Sequence, residues 1–534
     1  QVSEHLTSHW SEARAHQPAA PRRRHSPPPS PSPDAMDPPL WVEQLMHSYL
    51  PASPVSATAS LSASTSTSDQ DGGGEDRISA LPNDLLCNVV SRLPVKDAAR
   101  TGALSQRWRG LWRAAPLVLD DAHLLPDAAA AFRVLASHPG PFRSVRLVHN
   151  LIDESNKDAL LAEWLRLLAD KGVEDLILAN DPCSRGAMPV QLPPSLLSCG
   201  ASLRRLYLGL WLFPFTVDLP RGPGVFPDLQ ELGICHGITL ERDLDYMLAC
   251  SPKLEILALI GTFCLPNRVR VLHQSLRCMV LWHSLVDEVS AMAAPHLQRL
   301  IIYCTNPTGP GTTIKVKIGC APQLAVLGYL DTAKHVLEIG DTIIKAGVTK
   351  VCPSTVVPSV KVLALKVRFR VAAEVKTLLG FLRCFPEVET LHTMASDNDT
   401  DYYDDHGEVK VRDRLNSTFW QRVGPIGCVQ SRVKRVVFDQ FTGGTNEVGF
   451  LKLVLGRAVL LQKVTVVLAR PDSVAMSEAM CKLQPLASKR MWATQVVDNP
   501  SFEVSGRVAG HLCWYKEASD LSITDPFISM LRLY

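Results

Sequence analysis

The densest group of potential metal ligands in the sequence is the acidic segment DNDTDYYDDHGE, residues 397–408. Its oxygen-bearing side chains fall at positions 1, 3, 5, 7, 9 and 12 of a calcium-binding EF-hand loop, which are held by Asp397, Asp399, Asp401, Tyr403, Asp405 and Glu408. Position 6, where the sharp turn requires glycine, is Tyr402, and a predicted strand rather than a helix precedes the segment. The sequence therefore favours a solvated acidic insertion, and we predict no bound metal.

No other group of residues has the spacing of a catalytic or cofactor site. The sequence lacks a phosphate-binding glycine loop, an HExxH motif and a GxSxG motif. Its fourteen cysteines include no CxxC pair, which excludes a zinc ribbon and a thioredoxin-type dithiol. We therefore expect reduced cysteines that pack as small apolar residues, no cofactor, and no catalytic activity of the chain itself.

Composition and charge narrow the class further. Hydrophobic residues make up 46% of the 534 positions and charged residues 20%, which is typical of a folded soluble protein with several domains. The net charge of +2 gives the chain no electrostatic attraction to nucleic acid or to an anionic membrane. No uncharged run reaches the ~18–20 residues of a membrane helix. We expect a protein of the nucleus, the cytoplasm or both, without nucleic-acid or membrane partners.

The first 75 residues have the composition of a disordered tail. Proline, serine, alanine and threonine dominate them, as in PRRRHSPPPSPSP, and such sequence cannot bury enough apolar surface to offset its ordering entropy. Met36 is a plausible protein start, which would make residues 1–35 a translated leader. The basic run from Arg22 to Arg24 fits a nuclear localisation patch.

Three short helices are predicted between residues 76 and 112. In the first, one face carries Leu81, Leu85, Leu86, Val89, Val90 and Leu93. Pro82 suits its first turn and Pro94 ends it. A second helix fits residues 96–101, with Gly102 as its stop. The third is predicted to carry Leu104, Trp108, Leu111 and Trp112. A unit this small buries little, so we expect part of its apolar surface to contact a partner.

The same unit also fits a helix-turn-helix DNA binder, because it carries Arg100, Arg107, Arg109 and Arg113. Its third helix, however, presents Trp and Leu, and only Gln106 could read a base edge. The sequence therefore favours a solvated basic face over DNA binding.

From residue 142 to residue 439 one phrase recurs, aliphatic-x-x-aliphatic-x-aliphatic, usually after a proline, as in CSPKLEILAL from Cys250. Most of its intervals lie at or just beyond the 20–29 residues of a leucine-rich repeat. The last two apolar positions alternate as in a strand, and each unit must stack on its neighbours to cover its apolar side. Short alternating strands argue against the alternative, an array of helical repeats.

The repeats depart from the usual pattern at the turn after each strand. Asn or Cys normally lies three residues after the last strand leucine, and only Asn150 fits. In later repeats hydroxyl side chains are expected to substitute in part, namely Thr262, Ser284, Thr305 and Thr332. We therefore expect an irregular solenoid.

Beyond about residue 419 the pattern becomes strand 433–438, glycine turn 443–444, amphipathic helix 447–455 and strand 461–468. Because the first of these strands continues the repeat, this block is predicted to cap the solenoid.

Residues 76–112 closely resemble an F-box of the plant form, through Ile78, Leu81-Pro82, Leu85-Leu86, Ser91, Leu93-Pro94, Ala98, Thr101, Leu104-Ser105, Trp108 and Leu111-Trp112. The C-terminal block resembles the FBD motif, through Cys428, Lys434, Gly443, Glu447, Phe450-Leu451, Leu455, Ala458 and Leu461. With the repeats, most of residues 76–470 is similar to plant F-box/FBD/LRR-repeat proteins. The predicted fold is α/β: a disordered tail (1–75), a small all-helical F-box (76–115), an irregular leucine-rich-repeat solenoid (140–425), an FBD-like C-terminal cap (426–500) and an extension (501–534).

Proteins of this family are substrate receptors of Skp–cullin–F-box ubiquitin ligases. The resemblance implies a non-catalytic subunit whose F-box binds a Skp-type adaptor, and through it a cullin ligase, while the repeats bind a target protein for ubiquitination. Carried over by position, the adaptor interface and its supporting core would be Leu81, Pro82, Leu85, Leu86, Val89, Leu93, Pro94, Leu104, Trp108 and Trp112. The alternative is a leucine-rich-repeat interaction scaffold that does not engage a ligase.

The side chains that flank the inward leucines of each strand predict a concave face that is mostly apolar and aromatic. We expect target contact at Tyr207, Ile256, Val280, Trp282, Ile301 and Tyr303. Because a phosphorylated motif would require clustered arginines, this face is predicted to bind an apolar protein surface or degron. The alternative is that a loop or the C-terminal block covers the face.

Overall fold

The structure is a computed structural model that describes residues 50–55, 78, 80–125, 127, 129–149, 157–180, 190–237, 239–262, 267–309, 311–340, 342–344, 356–396, 415–469, 477–478, 481–483, 501–506 and 514–530. The predicted leader, the basic run at 22–24, Asn150 and the acidic segment 397–408 lie outside these ranges. Within them, no helix is both long and apolar enough to cross a bilayer.

The N-terminal unit is three helices, as predicted: α1 Asn83–Val90, α2 Val95–Thr101 and α3 Gln106–Ala114. The hydroxyl of Ser105 accepts the amide hydrogen of Trp108 at 3.4 Å, so Ser105 is the N-cap of α3. Leu104 therefore precedes the third helix, and its predicted place on that helix is wrong.

Fourteen parallel strands form the main sheet of the described residues. Numbered along the chain, they are β1 Leu117–Asp120, β2 Phe142–Leu147, β3 Asp175–Ala179, β5 Arg205–Gly209, β7 Glu231–Cys235, β8 Ile256–Ile260, β10 Cys278–Trp282, β12 Arg299–Tyr303, β14 Val326–Asp331, β17 Val362–Val367, β18 Thr390–Ala395, β19 Arg435–Phe441, β20 Lys463–Leu468 and β21 Ser501–Gly506. They pair in chain order, so each repeat adds one strand to a growing edge.

A second layer packs on one face of this sheet. It contains a five-stranded sheet of β9 Arg268–Leu272, β11 Glu288–Ala293, β13 Ile314–Cys320, β15 His335–Ile339 and β16 Thr342–Ile344, and the short pair β4 Val190–Gln191 and β6 Trp211–Leu212. Its helices are α4 Ala130–Ser137, α5 Lys157–Asp170, α6 Glu241–Cys250, α7 Ala372–Cys384, α8 Ser417–Arg422, α9 Gly427–Ser431 and α10 Thr445–Arg457, with 3₁₀ turns at Asp121–Leu124 and Pro194–Cys199. The last helices are α11 Trp514–Ser519 and α12 Phe527–Met530, which lie on the other face.

The repeated leucines form continuous rows across the sheet. One row joins Leu206, Leu232, Leu257, Met279, Leu300, Leu327, Leu363 and Leu391, each paired with the next and fully buried. Burying one such side chain is worth about 1.5–3 kcal/mol relative to leaving it exposed. The row continues to Leu176 of β3 and Val436 of β19, so each of these side chains is covered by an equivalent one in the strand on either side. A single repeat could not cover its own leucine in this way, which explains why the phrase recurs.

Hydroxyl groups hold the turns after the strands. Ser284 Oγ accepts the amide hydrogen of Thr262 at 3.3 Å and lies 3.0 Å from the carbonyl oxygen of Trp282. Thr332 Oγ1 donates to the carbonyl oxygen of Lys366 at 3.2 Å. All three hydroxyl residues are buried. The predicted substitution of hydroxyls for the usual asparagine is confirmed for Ser284 and Thr332, whose hydroxyl oxygens bond backbone groups at these turns.

The F-box helices and the sheet share one apolar core. Pro94, the N-cap of α2, forms an isolated bridge with Val118 of β1. The ring of Trp112 lies 5.0 Å from that of His138, which lies 5.1 Å from that of Phe142 on β2. The helical unit is therefore packed against the first repeats.

Three parts of the structure differ from the expected organisation. Residues 50–55 belong to the predicted disordered tail, yet Leu50 and Val55 are buried. The sheet begins at β1, well before residue 140, because LVLD pairs with β2. Strand β21 lies in the predicted C-terminal extension and pairs with β20, so the sheet continues past the FBD-like cap, whose order β19, α10, β20 matches the prediction.

Candidate functional site

Adjacent apolar residues of α1 differ in their exposure to solvent. Leu86 and Val90 are fully buried in the core, whereas Leu85 and Val89 remain 53% and 45% exposed. The helix thus has an inner apolar face and an outer one, where the sequence pattern had predicted a single face. A helix needs only one buried face to fold, so the outer residues are available for contact.

The ten residues predicted for the adaptor interface divide accordingly. The exposed ones are Pro82, Leu85, Val89 and Leu104; the half-buried ones are Leu81, Leu93 and Trp112; and the buried ones are Leu86, Pro94 and Trp108. Ile78 is also exposed and was not among the predicted contacts. Exposed apolar side chains grouped on one small unit mark a contact surface. We call Ile78, Pro82, Leu85, Val89 and Leu104 the apolar F-box surface.

Arg107 of α3 forms hydrogen bonds to residues at and just before the start of α1. Its Nε donates to Asn83 Oδ1 at 2.8 Å, and its guanidinium also donates to the carbonyl oxygen of Leu81. One of the four arginines that fitted a DNA-binding helix is therefore used to fix the start of α1 beside α3.

The concave face carries the predicted aromatic row. The rings of Trp282 and Tyr303 lie 4.4 Å apart, and that of Tyr329 follows at 5.8 Å from Tyr303. Farther along the sheet, the ring of Tyr207 lies over Gly233, where a Cβ would come within 2.2 Å of it. Alternation along the strands therefore placed these side chains on the expected face of the sheet.

Two segments from the ends of the chain cover that face. Leu50 joins an apolar cluster with Val148, Ile177 and Tyr207, and Arg146 Nε donates to the carbonyl oxygen of Pro51 at 3.3 Å. Ala518 and Phe527 belong to the same cluster, and residues 514–530 lie over the strands from β10 to β18. We call residues 517–528 the C-terminal segment.

The expectation of an open concave face is therefore wrong. Ile256 is half-buried, and the other five residues predicted to contact a target are buried, namely Tyr207, Val280, Trp282, Ile301 and Tyr303. The physical reason is that an apolar face of this size is costly to leave in water, so the chain ends cover it. Contact of these residues with a target stays a prediction.

Arg299, the first residue of β12, binds the backbone of the C-terminal segment. Its Nη1 donates to the carbonyl oxygens of Ala518 at 2.9 Å and Asp520 at 2.8 Å, and its Nη2 donates to that of Ile523. Burial lowers the pKa of Arg299 below its ordinary value, and the nearby charges only partly oppose this. One guanidinium thus holds three carbonyl oxygens, one at the end of α11 and two in the turn that follows it.

His392 of β18 binds the other end of the segment. Its Nε2 lies 3.0 Å and 2.9 Å from the two carboxylate oxygens of Asp525, and both side chains are buried. Burial alone would raise the pKa of Asp525, but the charge and hydrogen bond of His392, with the Phe527 amide at 3.2 Å, lower it overall. The fully buried ring of Phe527 lies 5.1 Å from that of Tyr329 and 5.4 Å from that of His392.

Sequence reasoning identified only part of this contact. Arg299 and His392 lie between inward residues of their strands, so alternation assigns both to the concave face. Asp525 and Phe527 gave no such signal, because Asp525 lies outside any helix or strand and Phe527 begins the four-residue helix α12, which is too short to show a period. A cleft of about 510 Å³ remains beside the segment, lined by Lys361, Glu389, Arg435 and other residues at the strand starts. Among the described residues, no group of His, Cys, Asp and Glu side chains is suited to a metal.

Comparison with known families gives three matches along the chain. The F-box domain matches residues 78–119, the family described as FBD-associated F-box protein At5g56370, LRR repeats, matches residues 161–393, and the FBD matches residues 421–466. The chain thus has the three domains that give the F-box/FBD/LRR-repeat proteins of Arabidopsis their name. The predicted resemblance is thus confirmed, with the F-box on α1 to α3 and the FBD on β19, α10 and β20.

Related F-box proteins of Arabidopsis thaliana show the extent of the likeness. The chain is 31% identical to F-box protein At1g60400 over 32% of its own length, to F-box/LRR-repeat protein 13 over 38%, and to FBD-associated F-box protein At5g60610 over 34%. These matches cover 42%, 45% and 46% of the three relatives, so they span less than half of each.

Proposed function

We propose that this chain is the substrate-recognition subunit of a Skp–cullin–F-box ubiquitin ligase. In this role the apolar F-box surface binds a Skp-type adaptor, and the leucine-rich repeats bind a target protein. The observation that carries the proposal is the outer face of α1, where Leu85 and Val89 are left exposed on a unit that matches the F-box domain. Its site of action is the nucleus, the cytoplasm or both.

Exposed apolar anchors give such a surface its binding energy. Transferring the exposed half of a leucine into an interface is worth about 1 kcal/mol, from the ~25 cal/mol per Å² of apolar area. Several such side chains grouped around polar residues form the core-and-rim arrangement of a specific interface. Leu104, which is 67% exposed, has a larger unburied fraction than Ile78, Leu85 or Val89.

A non-catalytic role is consistent with the buried cysteines. Burial raises the pKa of Cys199, Cys384 and Cys428 to about 12. A ligase that carries ubiquitin on its own thiol needs a thiolate at neutral pH, and these thiols are protonated there. The chain would act by holding a target near a partner that performs the transfer.

Capture of a purified Skp-type adaptor by the full chain tests the proposal. We expect Leu85→Asp and Leu104→Asp each to abolish capture, because a carboxylate would be desolvated in an apolar interface. The matched control is Val217→Asp, which makes the same kind of change at an exposed apolar residue of the repeats and should capture normally. If the adaptor is not captured by the unaltered chain, the scaffold alternative replaces the ligase role.

A further inference from the structure

The C-terminal segment is held by a polar contact set that a simple cover would not need. Where residues 50–55 cover the face, the described contact is largely apolar apart from the hydrogen bond of Arg146 to Pro51. Arg146 also has Asp120 of the sheet as an ion-pair partner at 3.3 Å. Arg299 and His392 instead direct buried polar groups at residues 518–525. Buried ion pairs add little stability compared with apolar packing, but they discriminate between partners.

The contacts divide into two kinds of recognition. Arg299 binds carbonyl oxygens, so it recognises the turn of the backbone, whatever side chains the turn carries. His392 and Tyr329 bind side chains, because they pair with the carboxylate of Asp525 and the ring of Phe527. The intervening Pro526 is buried and limits the conformations of the unbound segment. A ligand for this face would therefore present a turn followed by Asp-Pro-Phe.

The face also has room beyond the segment. The cleft of about 510 Å³ lies between residues 521–525 and the first residues of the neighbouring strands. Lys361, Arg435 and Glu389 line it, so its wall carries charges of both signs, although Glu389 already pairs with Lys434 Nζ at 2.7 Å. A ligand longer than the C-terminal segment could extend into this cleft and make contacts that the segment does not make.

We propose that the concave face around Arg299, Tyr329 and His392 is a peptide-binding site for an Asp-Pro-aromatic segment. Residues 525–527 occupy the site within the chain, and a partner protein carrying the same pattern takes their place. Describing that partner as the ubiquitination target rests on the proposed ligase function; the binding site itself does not. The C-terminal segment is then a competitor for the site as well as a cover.

Competition has a measurable consequence. A tethered segment acts at an effective concentration in the millimolar range for a short flexible link, so it occupies its site in most molecules. If the site is free in one molecule in ten, the affinity for an added peptide falls about tenfold. Removing the tethered competitor should restore that affinity.

The experiment uses the full chain and a fluorescent peptide with the sequence of residues 517–530, EASDLSITDPFISM. Phe527→Ala removes the buried ring that anchors the tethered segment, and Asp525→Asn removes its charge while keeping its volume. The matched control is Thr524→Ala, a change at an exposed residue of the same segment. Binding is followed by fluorescence anisotropy, and thermal unfolding checks that each variant is folded.

We expect the peptide to bind Phe527→Ala at least about tenfold more tightly than it binds the unaltered chain or Thr524→Ala. A peptide with alanine in place of the phenylalanine should lose that binding, as should the protein variant that combines Phe527→Ala with Tyr329→Ala. If Phe527→Ala does not fold, Asp525→Asn carries the same comparison with the matching acidic peptide.

Two results would overturn the proposal: equal affinity of the peptide for the unaltered and released chains, or equal binding of the alanine-substituted peptide. Adaptor capture is measured on the same variants and should not change, because the apolar F-box surface is intact in all of them. Loss of the ligase role would appear as failed adaptor capture with the peptide competition unaffected, so the two proposals fail separately.

Discussion

Leu85 and Leu86 are adjacent leucines on one helix, yet the same substitution should affect different properties. Alanine at Leu86 should mainly lower the free energy of unfolding, and alanine at Leu85 should mainly weaken adaptor binding. Leu86→Ala removes a fully buried side chain from the shared core and should cost 2–5 kcal/mol of unfolding free energy, by analogy with other buried leucines. Leu85 is 53% exposed, so Leu85→Ala should cost less than about 1 kcal/mol.

For adaptor affinity, Leu85→Ala should have the larger effect of the two substitutions. Leu85→Ala removes area that the adaptor would bury, and the loss of about 1 kcal/mol or more corresponds to roughly a fivefold to tenfold weaker complex. Leu86→Ala should leave the affinity of the folded molecules nearly unchanged. Urea unfolding gives the stabilities and calorimetric titration of the adaptor gives the affinities. The reasoning is refuted if Leu85→Ala destabilises the chain as much as Leu86→Ala, or if it binds the adaptor normally.

Three further predictions concern stability. Burial lowers the pKa of His335 to about 4. Between pH 6.5 and 4 the unfolded chain therefore binds more protons than the folded one, and the free energy of unfolding falls as the pH falls, by on the order of 3 kcal/mol. Urea unfolding at pH 7 and pH 4.5 should show less of this loss in His335→Gln. The buried carboxylate of Glu447 accepts three hydrogen bonds at 2.9 to 3.1 Å, so Glu447→Ala should cost about 1–3 kcal/mol in urea unfolding, and Glu447→Gln less. A Cβ on Gly102 would lie 2.8 Å from the ring of Trp112, so Gly102→Ala should lower the melting temperature, whereas Gly110→Ala, with open space around it, should not.

The repeats could be predicted from the sequence because the regular spacing of their leucines follows from how the strands pack. A leucine such as Leu257 must be flanked by equivalent residues in the strands on both sides, and that need appears as regular spacing. The phrase occurs eleven times between residues 142 and 438, and a strand of the main sheet lies at each occurrence, from β2 to β19. The second sheet, β9 to β16, was not predicted, because its strands lie between occurrences of the phrase and do not contain it.

The covering of the concave face could not be predicted in this way. Its contacts join residues far apart in the sequence, 95 positions for Arg146 and Pro51, 133 for His392 and Asp525, and 219 for Arg299 and Ala518. The covering partner of each pair lies in a loop or in a short helix. Turn residues follow local geometry and carry no period that marks them as buried. The F-box surface was predictable as a set of residues, but the division between Leu85 and Leu86 required the packing of α1 against α3.

The core that the F-box helices share with the sheet fixes the distance between those helices and each strand. Strands in a sheet lie about 4.8 Å apart, so the seven steps from β1 to β12 place Arg299 roughly 34 Å along the sheet from the strand that meets α2. Since the described residues of the three N-terminal helices and of the sheet share one core, a target protein bound at Arg299 under the proposed function would be held at a set distance from the apolar F-box surface. The lysines of the target that could be ubiquitinated would then depend on the shape of the target and not on movement of the repeats relative to the F-box.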